Sequence, residues 1–166
     1  MPVLSADRLR GDARGFGLVE LAVVLVVLSG LLYFLLDRVL TMQEMAEKTE
    51  VEETVRSINY ALRLEAASRM ARGPEPKRLP LEKENPIKWL QTPPRNYLGE
   101  LDMAPAHAKQ PYWYFDRVGR QLAYRPNRAE HLKIEGTEVK ELRFVVGAEE
   151  NSSYPRLISR FSYKWF

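Results

Sequence analysis

Residues 14–20 read Arg-Gly-Phe-Gly-Leu-Val-Glu, and they open the stretch that decides the fold. From Phe16 to Leu36 the chain is apolar or uncharged at every position except Glu20. As an α-helix this run is about 31 Å long, which matches a hydrocarbon core of about 30 Å. A carboxylate inside such a run costs on the order of 2.5–3.5 kcal/mol on insertion scales. Glu20 therefore has either a partner or a place at the membrane edge, where its side chain reaches the headgroups.

Two simpler interpretations of the apolar run are an ordinary signal peptide and a plain signal anchor. A signal peptide has an apolar region of about 7–15 residues, followed by a small-x-small cleavage site. The run is longer than that, and residues 37–42 (Asp-Arg-Val-Leu-Thr-Met) contain no such site. A plain anchor explains the apolar run, but it does not explain the spacing of Gly15, Phe16 and Glu20.

This spacing resembles the processing site of the type IV pilin and type II secretion pseudopilin superfamily. Gly15 matches the last leader residue, Phe16 the first mature residue and Glu20 the family glutamate. The resemblance implies cleavage by prepilin peptidase between Gly15 and Phe16 and N-methylation of the new Phe16 amine. It also implies that Glu20 meets the Phe16 amine of a neighbouring subunit during filament assembly. The expected partners are the peptidase, other pilin or pseudopilin subunits, the lipid bilayer and an inner-membrane assembly platform.

The sequence departs from the family pattern at two positions. Gly17 stands where many members have Thr or Ser, and Asp37 stands near the position of a helix-bending proline. The resemblance is close over about the first forty residues and only architectural beyond them.

The basic residues that flank the apolar run predict the topology. Arg8, Arg10 and Arg14 precede the run, whereas Arg38 and Lys48 are the basic residues that follow it closely. By the positive-inside rule the N-terminus faces the cytoplasm. We therefore expect a single-pass inner-membrane protein whose C-terminal domain lies in the periplasm, with possible incorporation into a pilus or pseudopilus.

Composition narrows the function classes. The chain has 166 residues, which suits one domain plus an anchor, and a net charge of +3. Its basic residues are interleaved with acids rather than clustered, so no nucleic-acid partner is expected. It has no cysteine. A disulfide cannot staple the C-terminal domain, which must be held by packing.

The chain is expected to divide into a leader and four further segments. A leader covers residues 1–15, a transmembrane helix half 16–36 and an amphipathic periplasmic helix half 37–72. A connecting region covers 73–111, with a short helix near 86–91 after the N-cap residue Asn85. An antiparallel sheet covers 112–166.

Hydrophobic periodicity supports the long helix. One apolar face at steps of three and four comprises Val51, Val55, Ile58, Leu62 and Ala66. The opposite face is polar, with Glu52 and Arg56 at the spacing of a helix ion pair. Gly73-Pro74 is expected to end the helix.

Strand patterns dominate the last third. Residues 112–115 and 121–124 are expected to form a hairpin, and 139–146 and 157–165 two further strands. The predicted fold class is α+β: a long N-terminal helix packed on a C-terminal antiparallel sheet of about four strands, as in pilins.

Other residues that could in principle bind a metal ion, a ligand or DNA are expected to be structural. His107 and His131 do not have metal-ligand spacing, so no metal site or cofactor is expected. The acidic residues in the loop 147–155 are expected to form a solvated hairpin tip, although a divalent ion there remains an open alternative. The aromatic residues of 112–115 are expected to be sheet core, and the cations between 63 and 88 a solvated face rather than a DNA contact.

The sequence thus predicts a structural subunit, a minor pilin or pseudopilin, of a type IV pilus or type II secretion-like filament. It does not predict an enzyme, because no catalytic constellation is present. The alternative is a single-pass inner-membrane anchor protein with a periplasmic protein-binding domain.

Substitution of Gly15 by leucine tests the processing site. A peptidase that acts at the membrane face requires a small side chain there, so the variant should accumulate as the full-length precursor. Intact-mass analysis of the membrane fraction measures this. A variant with a normal N-terminal Phe16, or a wild-type protein that retains its leader, would contradict the prediction.

Overall fold

The computed structural model describes residues 17–74, 79–148 and 154–166. Their first element is α1 (Leu18–Arg72), a continuous helix of 55 residues. It contains no proline and only one glycine, Gly30, so nothing in its interior interrupts the backbone hydrogen bonds. It ends as the sequence predicts: Gly73 has φ +82°, its N–H donates to the Arg69 carbonyl over 3.1 Å, and Pro74 follows. The long N-terminal helix is thereby confirmed.

The described residues divide between Met42 and Gln43 into two compact units. The first unit comprises the N-terminal part of α1. The second contains the remainder of α1 and every strand.

Besides its part of α1, the described residues of the second unit form two short 3-10 helices and seven strands. The 3-10 helices are Leu81–Lys83 and Pro86–Trp89, and the Asn85 side chain caps the latter by accepting from the Ile87 N–H over 3.0 Å. The strands are β1 (Tyr97–Leu101), β2 (Tyr112–Asp116), β3 (Gln121–Arg125), β4 (Leu132–Ile134), β5 (Leu142–Ala148), β6 (Pro155–Ser159) and β7 (Tyr163–Trp165).

The strands form two sheets. Five of them lie in the order β1-β2-β3-β5-β6, and β4 and β7 form a separate antiparallel pair. Strands β2, β3, β5 and β6 pair antiparallel, with Trp113 opposite Tyr124 and Leu122 opposite Phe144. Strand β1 pairs parallel to β2. The α+β class is confirmed, but the sheet is mixed rather than wholly antiparallel.

Strand β1 was not predicted, because turn-forming residues obscure it. Residues 73–111 were expected to be an irregular connection around the short helix, yet 97–101 form an edge strand. Gly99 has φ +98° and lies where the register shifts between Tyr97 and Glu100. A glycine at a bulge weakens the strand pattern in the sequence while it makes the bulge sterically accessible.

The expected single strand over 157–165 was wrong. The chain forms β6, which pairs with β5, and then β7, which pairs with β4. Leu157 and Trp165 are buried as predicted, whereas Phe161 lies between the two strands and is only partly buried. Strand β4 has three residues, too few for a periodic signal, so the partner of β7 could not be identified from the sequence.

The apolar face of α1 packs on the sheet as expected. Val51, Ile58, Leu62 and Ala66 are buried, and Val55 is partly buried against the same core. The sheet contributes Trp113, Phe115, Leu122, Tyr124, Leu142 and Phe144, with the Trp113 and Tyr124 ring centroids 4.6 Å apart. On the opposite polar face Arg56 pairs with Glu53 at 2.6 Å, and Glu52 with Lys48 at 3.9 Å, instead of Arg56 with Glu52.

The second face of the sheet is buried too. Tyr112, Tyr114 and Ala123 form a cluster covered by Leu101, Ala104 and Ala108. The aromatic residues of 112–115 are therefore core on both faces.

Replacement of Ile58 by aspartate tests the packing of α1 on the sheet. Ile58 is fully buried, so Ile58→Asp places a charge without a partner in the core and should lower the free energy of unfolding by several kcal/mol. Ser57→Asp is the matched control, since the adjacent Ser57 is exposed. Tryptophan fluorescence during thermal unfolding reports on the core through Trp113. Equal melting of the two variants would show that the helix does not pack there.

Candidate assembly site on the N-terminal helix

The first turn of α1 holds the residue on which the assembly hypothesis depends. Leu21 N–H donates to the Gly17 carbonyl over 3.0 Å, and Glu20 lies exposed in this turn. A carboxylate there is favourable for the helix dipole. Gly15 and Phe16, the predicted cleavage and methylation positions, lie outside the described residues.

The N-terminal part of α1 presents an apolar surface that nothing in its own unit covers. Its most apolar 18-residue window has a mean hydropathy of 2.6, and none of that window is buried. Val26, Tyr33 and Phe34 are each more than 70% exposed, at 72%, 77% and 75%. In the described part of the chain α1 is the one helix long and apolar enough to cross a membrane. Its length and composition are compatible with a membrane anchor.

Polar side chains in this region are compatible with a membrane helix. The Ser29 hydroxyl donates to the Leu25 carbonyl over 2.7 Å, so that polar group is satisfied within the helix. Tyr33 and Phe34 lie just before Asp37 and Arg38, the first charges after Glu20. Aromatic residues next to charges are typical of the membrane–water interface.

Shortly after the apolar part, α1 is held to the rest of the second unit by a buried carboxylate, that of Glu44, which is 1% exposed. Its Oε1 accepts from the His131 backbone N–H over 2.9 Å and from Trp165 Nε1 over 3.0 Å. Its Oε2 lies 2.9 Å from His131 Nδ1. The His131 ring stacks on Phe166 with centroids 4.6 Å apart. Glu44 thus joins the helix to the start of β4 and the end of β7.

These contacts determine the protonation of Glu44. Burial by itself raises the pKa of this carboxyl group. The hydrogen bonds from His131 and Trp165 and the electrostatic attraction of His131 outweigh burial, so the pKa lies below the ordinary value. Glu44 is therefore ionised at neutral pH, and its charge is compensated by donors rather than by water.

One turn further along, Glu47 makes a second set of contacts. Its carboxylate accepts from the Tyr124 hydroxyl over 2.8 Å and from the backbone N–H groups of Asn127 and Arg128 over 2.7 and 3.3 Å. Burial, and then the hydrogen bond to Glu47, raise the pKa of Tyr124. The two glutamates together hold the segment between β3 and β4 against α1.

The spacing of these two residues in the sequence is consistent with their burial against the C-terminal strands. Glu44 and Glu47 precede Val51 by seven and four positions, so they continue the buried helix face toward the N-terminus. Acidic residues at core positions of a helix indicate buried carboxylates that need donors.

The two histidines have different surroundings. His107 is exposed, and His131 contacts Glu44 instead of a metal set. Within residues 17–74, 79–148 and 154–166 no cluster of His, Asp and Glu could hold a metal ion. Glu149 and Glu150, the acidic residues of the loop 147–155, lie outside the described residues. The buried Glu141 accepts from the Tyr114 hydroxyl over 3.2 Å and pairs with Arg143 at 2.8 Å.

Comparison of the chain with models of known families, with curated proteins and with solved structures found no match.

Substitution of Glu44 by glutamine tests the role of this carboxylate. The variant loses one acceptor oxygen and the charge, and should lower the free energy of unfolding at pH 7 by about 1–3 kcal/mol. Glu50→Gln is the matched control, because Glu50 is exposed on the same helix. Chemical unfolding of both variants measures the difference.

The difference in the free energy of unfolding between wild type and Glu44→Gln should also depend on pH. The pKa of Glu44 in the folded protein is lower than its ordinary value of 4.5. Its contribution to the free energy of unfolding is therefore present above about pH 4.5 and is lost as the pH falls through the folded pKa. The difference between wild type and Glu44→Gln should therefore narrow below pH 4.5. A difference that stays constant down to pH 3 would contradict the assignment.

Proposed function

We propose that this chain is a structural subunit, a minor pilin or pseudopilin, of a type IV pilus or type II secretion-like filament. The observation that carries the proposal is the N-terminal part of α1. Its apolar surface is exposed, Glu20 is its only charge before Asp37, and it continues into the helix that packs on the C-terminal sheet. A helix of this kind needs lipid or other apolar helices around it.

In this proposal prepilin peptidase removes the leader after Gly15 and methylates the Phe16 amine. Before assembly the subunit resides in the inner membrane, with its N-terminus in the cytoplasm and its second unit in the periplasm. Assembly transfers α1 from lipid to a bundle of pilin-like helices. In this proposal the chain is a substrate of the peptidase and has a structural role.

In this proposal Glu20 sets the axial register of the subunit in the filament. Inside the bundle its carboxylate pairs with the Phe16 amine of the next subunit, because both charges are removed from water and each needs a counter-charge. A subunit displaced along the axis would leave two buried charges without partners. The pair therefore selects one axial position even if it adds little net stability.

The alternative, an anchored periplasmic binding module, is supported by the division at Met42 and Gln43. The second unit has its own core and could bind an envelope protein while α1 only anchors it. In that case Glu20 has no specific partner and its removal has no functional effect.

Substitution of Glu20 by alanine separates the two proposals. The variant should be inserted and cleaved normally, since loss of a charge makes the helix more apolar. Its incorporation into filaments should fall, because the Phe16 amine then enters the bundle without a counter-charge. Val24→Ala, one turn along α1, is the control for loss of side-chain volume.

The measurement is cross-linking of cysteine-bearing variants to other pilin-like subunits in cells, alongside intact-mass analysis of processing. Undiminished cross-linking by correctly cleaved Glu20→Ala would overturn the assembly role. Equal losses in Glu20→Ala and Val24→Ala would assign the effect to packing instead of charge.

A further inference from the structure

A small cavity opens beside strands β5 and β6 of the five-stranded sheet. It has a volume of about 280 Å³ and is lined by Thr137, Val139, Glu141, Arg143, Arg160 and Phe161. Ligand cavities usually measure about 300–1,000 Å³, so an occupant of this one is small. Its lining combines two arginines and a buried carboxylate with two apolar side chains, which is the mixture that an orienting ligand site requires.

The two arginines meet at the cavity from neighbouring strands. The Arg160 backbone N–H donates to the Arg143 carbonyl over 2.8 Å, so the two residues lie opposite each other where β6 ends. Arg143 is also opposite Ala123 of β3, which places it on the second face of the sheet. Like charges directly opposite on adjacent strands are destabilising, so these guanidinium groups need negative charge near them.

The chain supplies that negative charge to only one of the two arginines. Arg143 Nη2 lies 2.8 Å from the Glu141 carboxylate, and its Nη1 lies 3.7 Å from Asp116. Arg160 Nη1 donates instead to the neutral Gln121 amide over 3.0 Å. No carboxylate of residues 17–74, 79–148 and 154–166 lies within ion-pair distance of Arg160. Arg160 therefore brings a positive charge to the cavity without a counter-charge from the described part of the chain.

A buried amide and an aromatic ring hold Arg160 in this position. Gln121 is 3% exposed, and both of its amide groups are used: Nε2 donates to Asp116 over 2.9 Å, and Oε1 accepts from Arg160. The guanidinium carbon lies over the Phe161 ring, 5.6 Å from its centroid. The other guanidinium N–H groups have no acceptor among the described residues. A guanidinium held in this way loses little side-chain entropy on binding, and its N–H fork matches the two oxygens of a carboxylate.

We propose that this cavity binds the carboxylate group of a small organic acid, with Arg160 as the residue that recognises it. The free N–H groups of Arg160 donate to the carboxylate oxygens, while Val139 and Phe161 contact the apolar body of the acid. Thr137 supplies a further donor: its Oγ1 accepts from the Val139 N–H over 3.1 Å, so its own O–H is available to the ligand.

The charges around the cavity favour a ligand with a single negative charge. Arg160 is compensated by one carboxylate, whereas a second negative charge would meet Glu141 in the lining and Asp116 beside Arg143. A monocarboxylate therefore fits better than a phosphate dianion. This inference is separate from the assembly proposal, because every residue that lines the cavity belongs to the second unit and none belongs to α1.

Isothermal titration of the purified full-length chain, in a neutral detergent, with isocaproate tests the site. Saturable binding of one acid per chain is expected at low ionic strength, and the affinity should fall as salt is added. Isocaproamide has the same apolar body without the charge and should bind about tenfold more weakly or worse. Absence of saturable binding up to about 10 mM acid, or equal affinity for the amide, would overturn the proposal.

Variants of Arg160 separate a ligand-binding role from a purely structural one. Arg160→Gln loses the charge and should weaken isocaproate binding by about tenfold or more. Arg160→Lys keeps the charge without the planar fork and should lose less. Arg95→Gln is the matched control, since Arg95 is exposed and lies outside the cavity, and its affinity should equal that of wild type. Thermal unfolding checks the fold of each variant. Unchanged affinity in either folded Arg160 variant, or equal losses in Arg160→Gln and Arg95→Gln, would overturn the role of Arg160.

Two further probes identify the charge and the source of the ligand. Inorganic phosphate should bind more weakly than isocaproate, and tighter binding of phosphate would overturn the assignment to a monocarboxylate. An acetylated tripeptide that ends in leucine carries a similar apolar carboxylate on a peptide chain. Binding of this peptide without binding of isocaproate would assign the cavity to a chain terminus and overturn the small acid as its ligand.

Discussion

The buried carboxylate of Glu44 is the contact on which the arrangement of the second unit depends. It collects donors from His131 and Trp165, which are 87 and 121 positions away along the chain. A buried charge without such donors costs several kcal/mol, so other positions of β4 and β7 against the helix are disfavoured. Apolar side chains such as Val51 and Ile58 tolerate small sliding, whereas a carboxylate with three directional contacts does not. Glu44 therefore fixes the axial register of α1 against the C-terminal strands.

Glu47, one turn further along α1, makes contacts of the same kind. Its contacts to Tyr124, Asn127 and Arg128 fix the segment that connects the five-stranded sheet to the small β4–β7 sheet. A further helix side chain acts at the far edge of the sheet, where the Asn59 side chain accepts from the Leu157 N–H over 2.7 Å. An edge-strand donor that would otherwise be open to another chain is thereby satisfied. One helix thus supplies both the apolar core and the polar restraints.

The two parts of α1 have different surfaces. Up to Leu36 the helix has an apolar surface on all sides and one charge, Glu20. Beyond Met42 it is amphipathic, with a buried face and an exposed face that carries acids first and arginines later. The first pattern favours lipid or other helices, and the second favours a sheet on one side.

The sequence by itself determined the features that repeat locally. The apolar run predicts a membrane-length helix, the spacing of Val51 to Ala66 predicts its packed face, and Gly73-Pro74 predicts its end. Local alternation and turn residues also located the β2–β3 hairpin. Only the tertiary structure decided the parallel pairing of β1, the pairing of β4 with β7 and the partners of Glu44. These depend on contacts between distant residues, and a short strand or a lone acid carries no periodic signal of its partner. For the candidate site, the motif supplied the prediction at Glu20, whereas the donors of Glu44 could be found only from the folded positions of His131 and Trp165.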